Sequence, residues 1–276
     1  MKHPKIYISN VDFGAYLAGL WEGDGHMSIP KPGQKKFNPR WNLTSHEIER
    51  PFMHALQRRL GGFIREKKTE HALVLTIGTV PGLVALLNVT HGKYRTPKLK
   101  HINSAIAWLN KHHVKGLPFE TENEASLAND AWLAGFIDAD GSFGMRYDLP
   151  PKKHRISVRF RLTQRMVDAK SKFSYEPLMK KLSNFLNVNL NTCVKKQGTY
   201  FLVASDGVVS NVKLKSYLNS YPLFTSKRNA FLTWSYVLSK LKSKSAYKPE
   251  FEQAMSHARQ TFNRKTHADF KHLETL

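Results

Sequence analysis

A single cysteine, Cys193, is all that the 276 residues contain. That excludes an intramolecular disulfide and any zinc site built on several thiolates, and it fits a reducing compartment. Cys193 itself reads as a small buried hydrophobe on a strand. Acidic residues are scarce as well: 21 Asp and Glu stand against 43 Lys and Arg, a formal charge of +22. A compact chain so unbalanced repels itself unless a polyanion is its usual partner, which points to nucleic acid for an enzyme and a ribosomal-type protein alike. No apolar run reaches the ~18 residues of a membrane span. The start, MKHPKIYISNVDFG, has neither the apolar stretch of a secretory signal nor the Arg- and Ser-rich cast of a transit peptide. A soluble protein without membrane contact is therefore expected. Sixteen Phe, five Trp and a 41% hydrophobic content supply real cores, enough for one large domain or two of roughly 100–150 residues.

What is abundant is repetition. LAGLWEGDG at Leu17 to Gly25 returns as LAGFIDADG at Leu133 to Gly141. Behind each follow two strand-like pieces, HMSI and RWNLTSH against SFGMRYD and RISVRFRLTQR, separated by basic turns (KPGQKK and PPKKH). An amphipathic stretch comes next in each copy, PFMHALQRRLGG and YEPLMKKLSNFLN, then a hairpin-like piece. Last, RTPKLKHINSAIAWL matches FTSKRNAFLTWSYVL, which sets Lys98 opposite Lys227 with a modest insertion in the second copy. The expected fold class is α+β: two pseudo-symmetric α-β-β-α-β-β-α halves with antiparallel sheets. The halves are 1–110 and 127–276, joined by a linker over 111–126 that holds Gly116, Pro118 and an acidic cluster.

Period-two alternation is clearest in RISVRFRLTQ, where Ile156, Val158, Phe160 and Leu162 alternate with Ser157, Arg159, Arg161 and Thr163. In the first copy Trp41 and Leu43 alternate with Arg40, Asn42 and Thr44. One face of each sheet packs on a core; the other, Arg-rich and without a carboxylate in these runs, suits a DNA groove.

Each nonapeptide reads as the end of a helix, the first capped by Asp12. Gly19 and Gly23, matched by Gly135 and Ala139, give each helix a small-residue face on which two backbones can cross closely. The larger residues, Leu17, Leu20 and Trp21 against Leu133, Phe136 and Ile137, anchor each helix in its own half. The two helices are therefore expected to form a pseudo-two-fold seam. Their ends carry acids, Glu22 and Asp24 against Asp138 and Asp140. A carboxylate at a helix C-terminus is disfavoured, and two such ends side by side compound the repulsion. A hard divalent cation between them relieves it, and carboxylate oxygens suit Mg²⁺.

The two segments resemble the signature of the LAGLIDADG homing endonucleases in their single-chain, two-repeat form. The second copy departs from the signature at Phe136; the first departs at Trp21, Glu22 and Gly23. The resemblance implies that Asp24 and Asp140 are metal ligands, that Gly23 and Ala139 offer backbone carbonyls, and that Lys98 and Lys227 stand near the scissile phosphates. It implies a water-ordering Gln164, replaced in the first copy by Ser45. Glu22 and Asp138 are read as structural, and His26 as a strand residue rather than a ligand. It further implies a saddle of two four-stranded sheets on roughly 20 base pairs of duplex, about two helical turns. Candidate DNA contacts in the first half are Ser28, Arg40, Asn42, Thr44, Arg65 and Lys67. In the second half they are Ser142, Gly144, Arg146 and Asp148, then Ser157, Arg159, Arg161 and Lys195. The implied activity is Mg²⁺-dependent double-strand cleavage across the minor groove with short 3′ overhangs, by a monomer on an asymmetric site, with Ca²⁺ supporting binding alone. Family habit places such a protein in an organelle, above all the mitochondrion. Two rivals stay open: an intron maturase binding group I intron RNA, with Lys240 to Lys248 as extra basic surface, and a non-enzymatic DNA-binding protein that kept the fold.

Overall fold

The computed structural model describes residues 9–31, 34, 37–148, 155–242, 251, 262 and 269–275. Most of the basic turn at 31–36, all of that at 150–154, and most of the stretch from Lys240 to Lys248 lie outside the described residues. The first half runs α1 (Asn10–Asp24), β1 (Gly25–Ser28), β2 (Arg40–His46), α2 (Arg50–Leu60), β3 (Phe63–Lys67), β4 (Ala72–Ile77), α3 (Val80–Thr90) and α4 (Leu99–His112). The second repeats it: α5 (Trp132–Asp140), β5 (Gly141–Asp148), β6 (Arg155–Arg165), α6 (Glu176–Leu186), β7 (Leu190–Lys195), β8 (Gly198–Ser205), α7 (Val208–Ser220) and α8 (Lys227–Lys242). The sheets are antiparallel with matching orders, β1-β2-β4-β3 and β5-β6-β8-β7. The α+β class and the duplication hold. Each half carries one helix more than the sequence pattern suggested, α3 and α7. α3 is apolar nearly all round and lies against α1, where a Cβ on Gly14 would sit 2.1 Å from the Val89 carbonyl oxygen, so its strong amphipathic signature is missing.

Helix α1 starts earlier than expected. Ser9, not Asp12, is its N-cap: Ser9 Oγ accepts from the Asp12 amide at 3.1 Å and donates to Asp12 Oδ2 at 2.7 Å. Asp12 thus answers the cap from the first turn, a reciprocal capping pattern. The two glycine-laced helices cross at the centre of the molecule. A Cβ on Gly19 would lie 2.0 Å from the Trp132 carbonyl oxygen, and one on Gly135 would lie 1.9 Å from that of Tyr16. Only glycine permits that approach. One step nearer the acids the crossing tolerates a single methyl: Ala139 supplies it, and Gly23 faces it at what would be 2.1 Å between Cβ atoms.

Each sheet lays one face on the core. In β6, Ile156, Val158, Phe160 and Leu162 are buried, and Ser157, Arg159, Arg161 and Thr163 are not. In β2, Trp41 and Leu43 are buried and Trp41 stacks on Trp21 at 6.3 Å. Cys193, expected inside, is half-buried on the polar face opposite Tyr200. Beyond α4 the chain is docked along the first half. Glu120 and Asn103 exchange backbone and amide hydrogen bonds, and the Glu120 carboxylate accepts from the Gly92 amide at 2.7 Å. Among the described residues no helix is long and apolar enough to cross a membrane.

Candidate functional site

The two acids that end α1 and α5 face different surroundings. Asp24 is open to solvent, whereas Asp140 is half-buried. Crowding by protein atoms, then the charge of Asp140, lifts the Asp24 carboxyl to about 6. Burial likewise raises Asp140, with the nearby lysines opposing it. Gln164, at the end of β6, donates its amide to Asp140 Oδ2. Ser45, its counterpart at the end of β2, makes no such bond to Asp24 and lines a cavity of about 760 Å³ that also reaches Asp24, Ala139 and Lys227.

Lys98 and Lys227 arrive from the starts of α4 and α8. Lys98 Nζ donates to the carbonyls of Gly23 (2.7 Å) and Gly25 (2.9 Å). Lys227 Nζ donates to those of Ala139 (2.6 Å) and Ile137 (3.1 Å). Each ammonium thus binds carbonyls at or just beyond a helix end; that of Ile137 also accepts from the Gly141 amide. Burial lowers both lysine pKa values while the acids pull them up. The loops that deliver these lysines are pinned by the inner acids. Glu22 is 1% exposed and accepts from the amides of Arg95 (3.0 Å) and Thr96 (2.6 Å) and from Thr96 Oγ1 at 2.6 Å. Asp138 accepts from the amides of Phe224 (2.7 Å) and Thr225 (3.3 Å) and from Thr225 Oγ1. Each acid also takes one donor from the opposite half: Trp132 Nε1 reaches Glu22 at 2.7 Å, and Tyr16 Oη reaches Asp138 at 2.6 Å. The structural reading of Glu22 and Asp138 therefore gains a specific content. They tie the seam to the loops that set the lysines.

Among the described residues no three His, Cys, Asp or Glu side chains gather as a metal site. A cation at this centre would rely on Asp24 and Asp140, with the carbonyls of Gly23 and Ala139. That set is all oxygen, it converges (a Cβ on Gly23 would be 3.1 Å from Asp140 Oδ2), and its carboxyls are raised by burial, and Asp24's also by Asp140's charge. It fits a hard divalent ion.

The candidate nucleic-acid contacts fall on the polar faces of the two sheets. In the first, Ser28, Arg40 and Arg65 are exposed, and Thr44 and Lys67 are half-buried; Lys67 pairs with Glu70 at 3.0 Å. His26 is exposed on the same face. Asn42 shares that face yet is only 6% exposed. Its amide donates to the Arg40 carbonyl (3.0 Å) and Ser28 Oγ (3.3 Å), and its oxygen accepts from Thr76 Oγ1 at 2.9 Å. As a free base reader Asn42 is thus corrected: its polar atoms are spent inside the sheet. In the second sheet, Ser142, Arg146, Arg159, Arg161 and Lys195 are exposed, and Gly144, Asp148 and Ser157 are half-buried. Arg146 pairs with Asp148 at 2.5 Å, Arg159 with Asp206, and Lys195 donates to Thr163 Oγ1 at 2.9 Å.

Sequence reasoning missed Tyr16 and Trp132, although each stands six residues before its partner's acid. It quoted the threonines of TPK and TSK, Thr96 and its counterpart Thr225, only as context for the lysines. It also missed Asp206, which follows β8, and the Asp168–His101 pair, 3.0 Å, that joins the halves.

Residues 133–238 match the family described as LAGLIDADG endonuclease. The intron-encoded DNA endonuclease aI3 of Saccharomyces cerevisiae is 28% identical over 85% of this chain, which spans 65% of that protein. The intron-encoded RNA maturase bI4 of the same organism is 28% identical over 53% of the chain, which spans 22% of it. Among solved structures, the meganuclease I-SmaMI bound to uncleaveable DNA superposes with a TM-score of 0.70 at 15% identity, covering 92% of this chain and 99% of that one. The same meganuclease with an uncleaved DNA target and calcium ions gives 0.63 at 16% identity, over 91% and 99%.

Proposed function

We propose that the chain is a two-repeat protein of the LAGLIDADG endonuclease family and, from that premise, a homing endonuclease acting as a monomer on a long asymmetric duplex site. The observation that carries this reading is the doubled centre: two crossing helices end in Asp24 and Asp140, and each acid has a half-buried lysine beside it, Lys98 and Lys227. Mg²⁺ held by Asp24, Asp140 and the carbonyls of Gly23 and Ala139 would supply Lewis acidity and an acidic water when bound, with Ca²⁺ supporting binding alone.

The chain's own residues do the rest. Arginines and lysines on the two sheet faces, Arg40, Arg65, Arg161 and Lys195 among them, draw the polyanionic duplex into the saddle. Glu22 and Asp138 hold the loops that aim Lys98 and Lys227 at the helix ends. A protonated lysine there stabilises charge building on a phosphate; its lowered pKa also suits it to exchange a proton with water. Gln164 fixes Asp140. The products are a double-strand break with short 3′ overhangs, and the setting is an organelle, most simply the mitochondrion.

The test is to incubate the full chain with a randomised duplex library in Mg²⁺ and in Ca²⁺ and to sequence the ends. Breaks at one long asymmetric site in Mg²⁺, absent in Ca²⁺ and in Asp24→Asn or Asp140→Asn, support the reading. Salt-sensitive binding without breaks in Mg²⁺ sinks it. The match to an RNA maturase motivates a second reading, assistance of group I intron splicing, and a splicing assay on that intron class decides it.

A further inference from the structure

The two saddle faces can be compared position by position, because the strand registers coincide. Counting outward from Asp24 and Asp140, the first row across β1, β2 and β4 holds Asn42 between His26 and Thr76; its counterpart across β5, β6 and β8 holds Arg161 between Ser142 and Ala204. The next row outward holds Arg40 opposite Ser28, and its counterpart holds Arg159 opposite Gly144. Continuing the ladders by one pair sets Gly78 beside Arg40 and Asp206 beside Arg159.

The charges available to a ligand differ between rows. In the first half the inner row offers no arginine: Asn42 is bonded to Thr76, Ser28 and the Arg40 carbonyl, and the exposed ring of His26 is what it presents instead. The outer row offers Arg40, exposed and without a carboxylate partner among the described residues, since Gly78 has no side chain to supply one. In the second half the order is reversed. Arg161 in the inner row is exposed and has no acidic partner among the described residues, whereas Arg159 in the outer row is paired with Asp206. Exposed pairs are weak in water, yet Asp206 cancels the attraction of Arg159 for DNA whether or not their contact persists.

An arginine fork facing a major groove makes its best base contact with guanine, through O6 and N7. We propose that the guanine-reading arginine stands one row closer to the catalytic centre in the second half, Arg161, than in the first, Arg40, so that the two half-sites are out of register. The offset follows from spacing: two residues along a strand cover about 6.7 Å, and two base-pair steps about 6.8 Å. The target therefore carries guanine about two base pairs nearer its centre in one half-site than in the other. This inference rests on the DNA-binding reading above.

The experiment is selection of bound duplexes from a randomised library by the full chain in Ca²⁺, followed by sequencing. It is repeated for Arg161→Ala, Arg161→Lys, Arg40→Ala, Asn42→Ala and Asp206→Ala. Selection reads only folded, bound protein, so a destabilised variant lowers recovery and leaves base frequencies readable. Arg161→Ala should flatten one guanine column near the centre by roughly ten-fold, and Arg40→Ala one column about two positions farther out on the other side. Arg161→Lys should restore affinity without restoring the column. Asn42→Ala should flatten nothing, and Asp206→Ala should add guanine preference outside the Arg161 column. Guanine columns at equal distances from the centre, a column lost in Asn42→Ala, or a uniform loss of affinity in Arg161→Ala overturns the proposal and leaves the endonuclease reading standing. A wild-type protein that selects no sequence overturns both.

Discussion

The two halves share a skeleton and differ in how they flank the seam. In the second half ten residues, Met166 to Tyr175, separate β6 from α6, and several of them reach the first half. Asp168, held by the Ser171 amide at 2.7 Å, meets His101 Nε2 at 3.0 Å; Lys170 Nζ donates to the Met27 carbonyl at 3.3 Å; and Lys100 lies over the Phe173 ring. The first half has only the short turn Glu47–Glu49 at that place, tied across by Glu49 to the Ser226 amide at 2.9 Å. What remains beside it is the cavity of about 760 Å³ that opens on Asp24 and Ser45. The inner acids, by contrast, are anchored almost identically in both halves. Symmetry is found where the lysine loops must be set, and asymmetry where solvent approaches the carboxylates of Asp24 and Asp140. Two chemically equal aspartates thus sit in unequal water.

Removing the lysines breaks the comparison most severely. Lys98→Met and Lys227→Met are each expected to slow cleavage by about 10²–10³-fold, the usual cost of losing one charge-stabilising donor. If each half serves one strand, the two variants accumulate nicked duplex with opposite strands intact, which single-turnover assays on end-labelled strands resolve. Equal slowing of both strands by either variant would mean that the halves form one shared centre. Next comes the seam. Gly23→Ala sets two methyl groups 2.1 Å apart and should cost about 1–3 kcal/mol in thermal or denaturant unfolding. Adding Ala139→Gly moves the methyl to the other helix and should recover most of that loss. Smaller still is His101→Ala, which removes one partner of Asp168 and should cost about 1 kcal/mol, while the Glu49–Ser226 tie on the opposite flank stays intact.

Much of this arrangement was legible in the residues because it repeats. The nonapeptides fixed the seam, and small residues at matching positions required the helices to cross where Gly19 and Gly135 now meet backbone oxygens. Alternation located β2 and β6. The extra helices escaped because α3 is apolar on most sides, so periodicity had little contrast to report. Asn42 was misjudged for a different reason. Alternation tells which face a side chain takes, and it does not tell whether Ser28 and Thr76 will consume its polar atoms. Contacts between halves, such as Trp132 to Glu22 and Asp168 to His101, join residues remote in sequence, and no local pattern encodes them.

The finest probe of the difference between halves is Ser45→Gln. Ser45 and Gln164 occupy equivalent ends of β2 and β6, but only Gln164 is long enough to donate to its aspartate. The bond orients the Asp140 carboxylate and favours its charged form. Asp24 has no such support and carries the carboxyl raised to about 6. The strand served by Asp24 should accordingly be the slower one in the native protein, visible as a nicked intermediate of one polarity. A glutamine at position 45 faces open cavity rather than packed core, so it can be accommodated without repacking. It should raise the slower nicking rate by a few-fold, the scale of one hydrogen bond at roughly 1 kcal/mol, and bring the two strands closer to simultaneous cutting. An unchanged ratio of nicked to linear product would show that the inequality between the halves lies in the DNA rather than in the length of this one side chain.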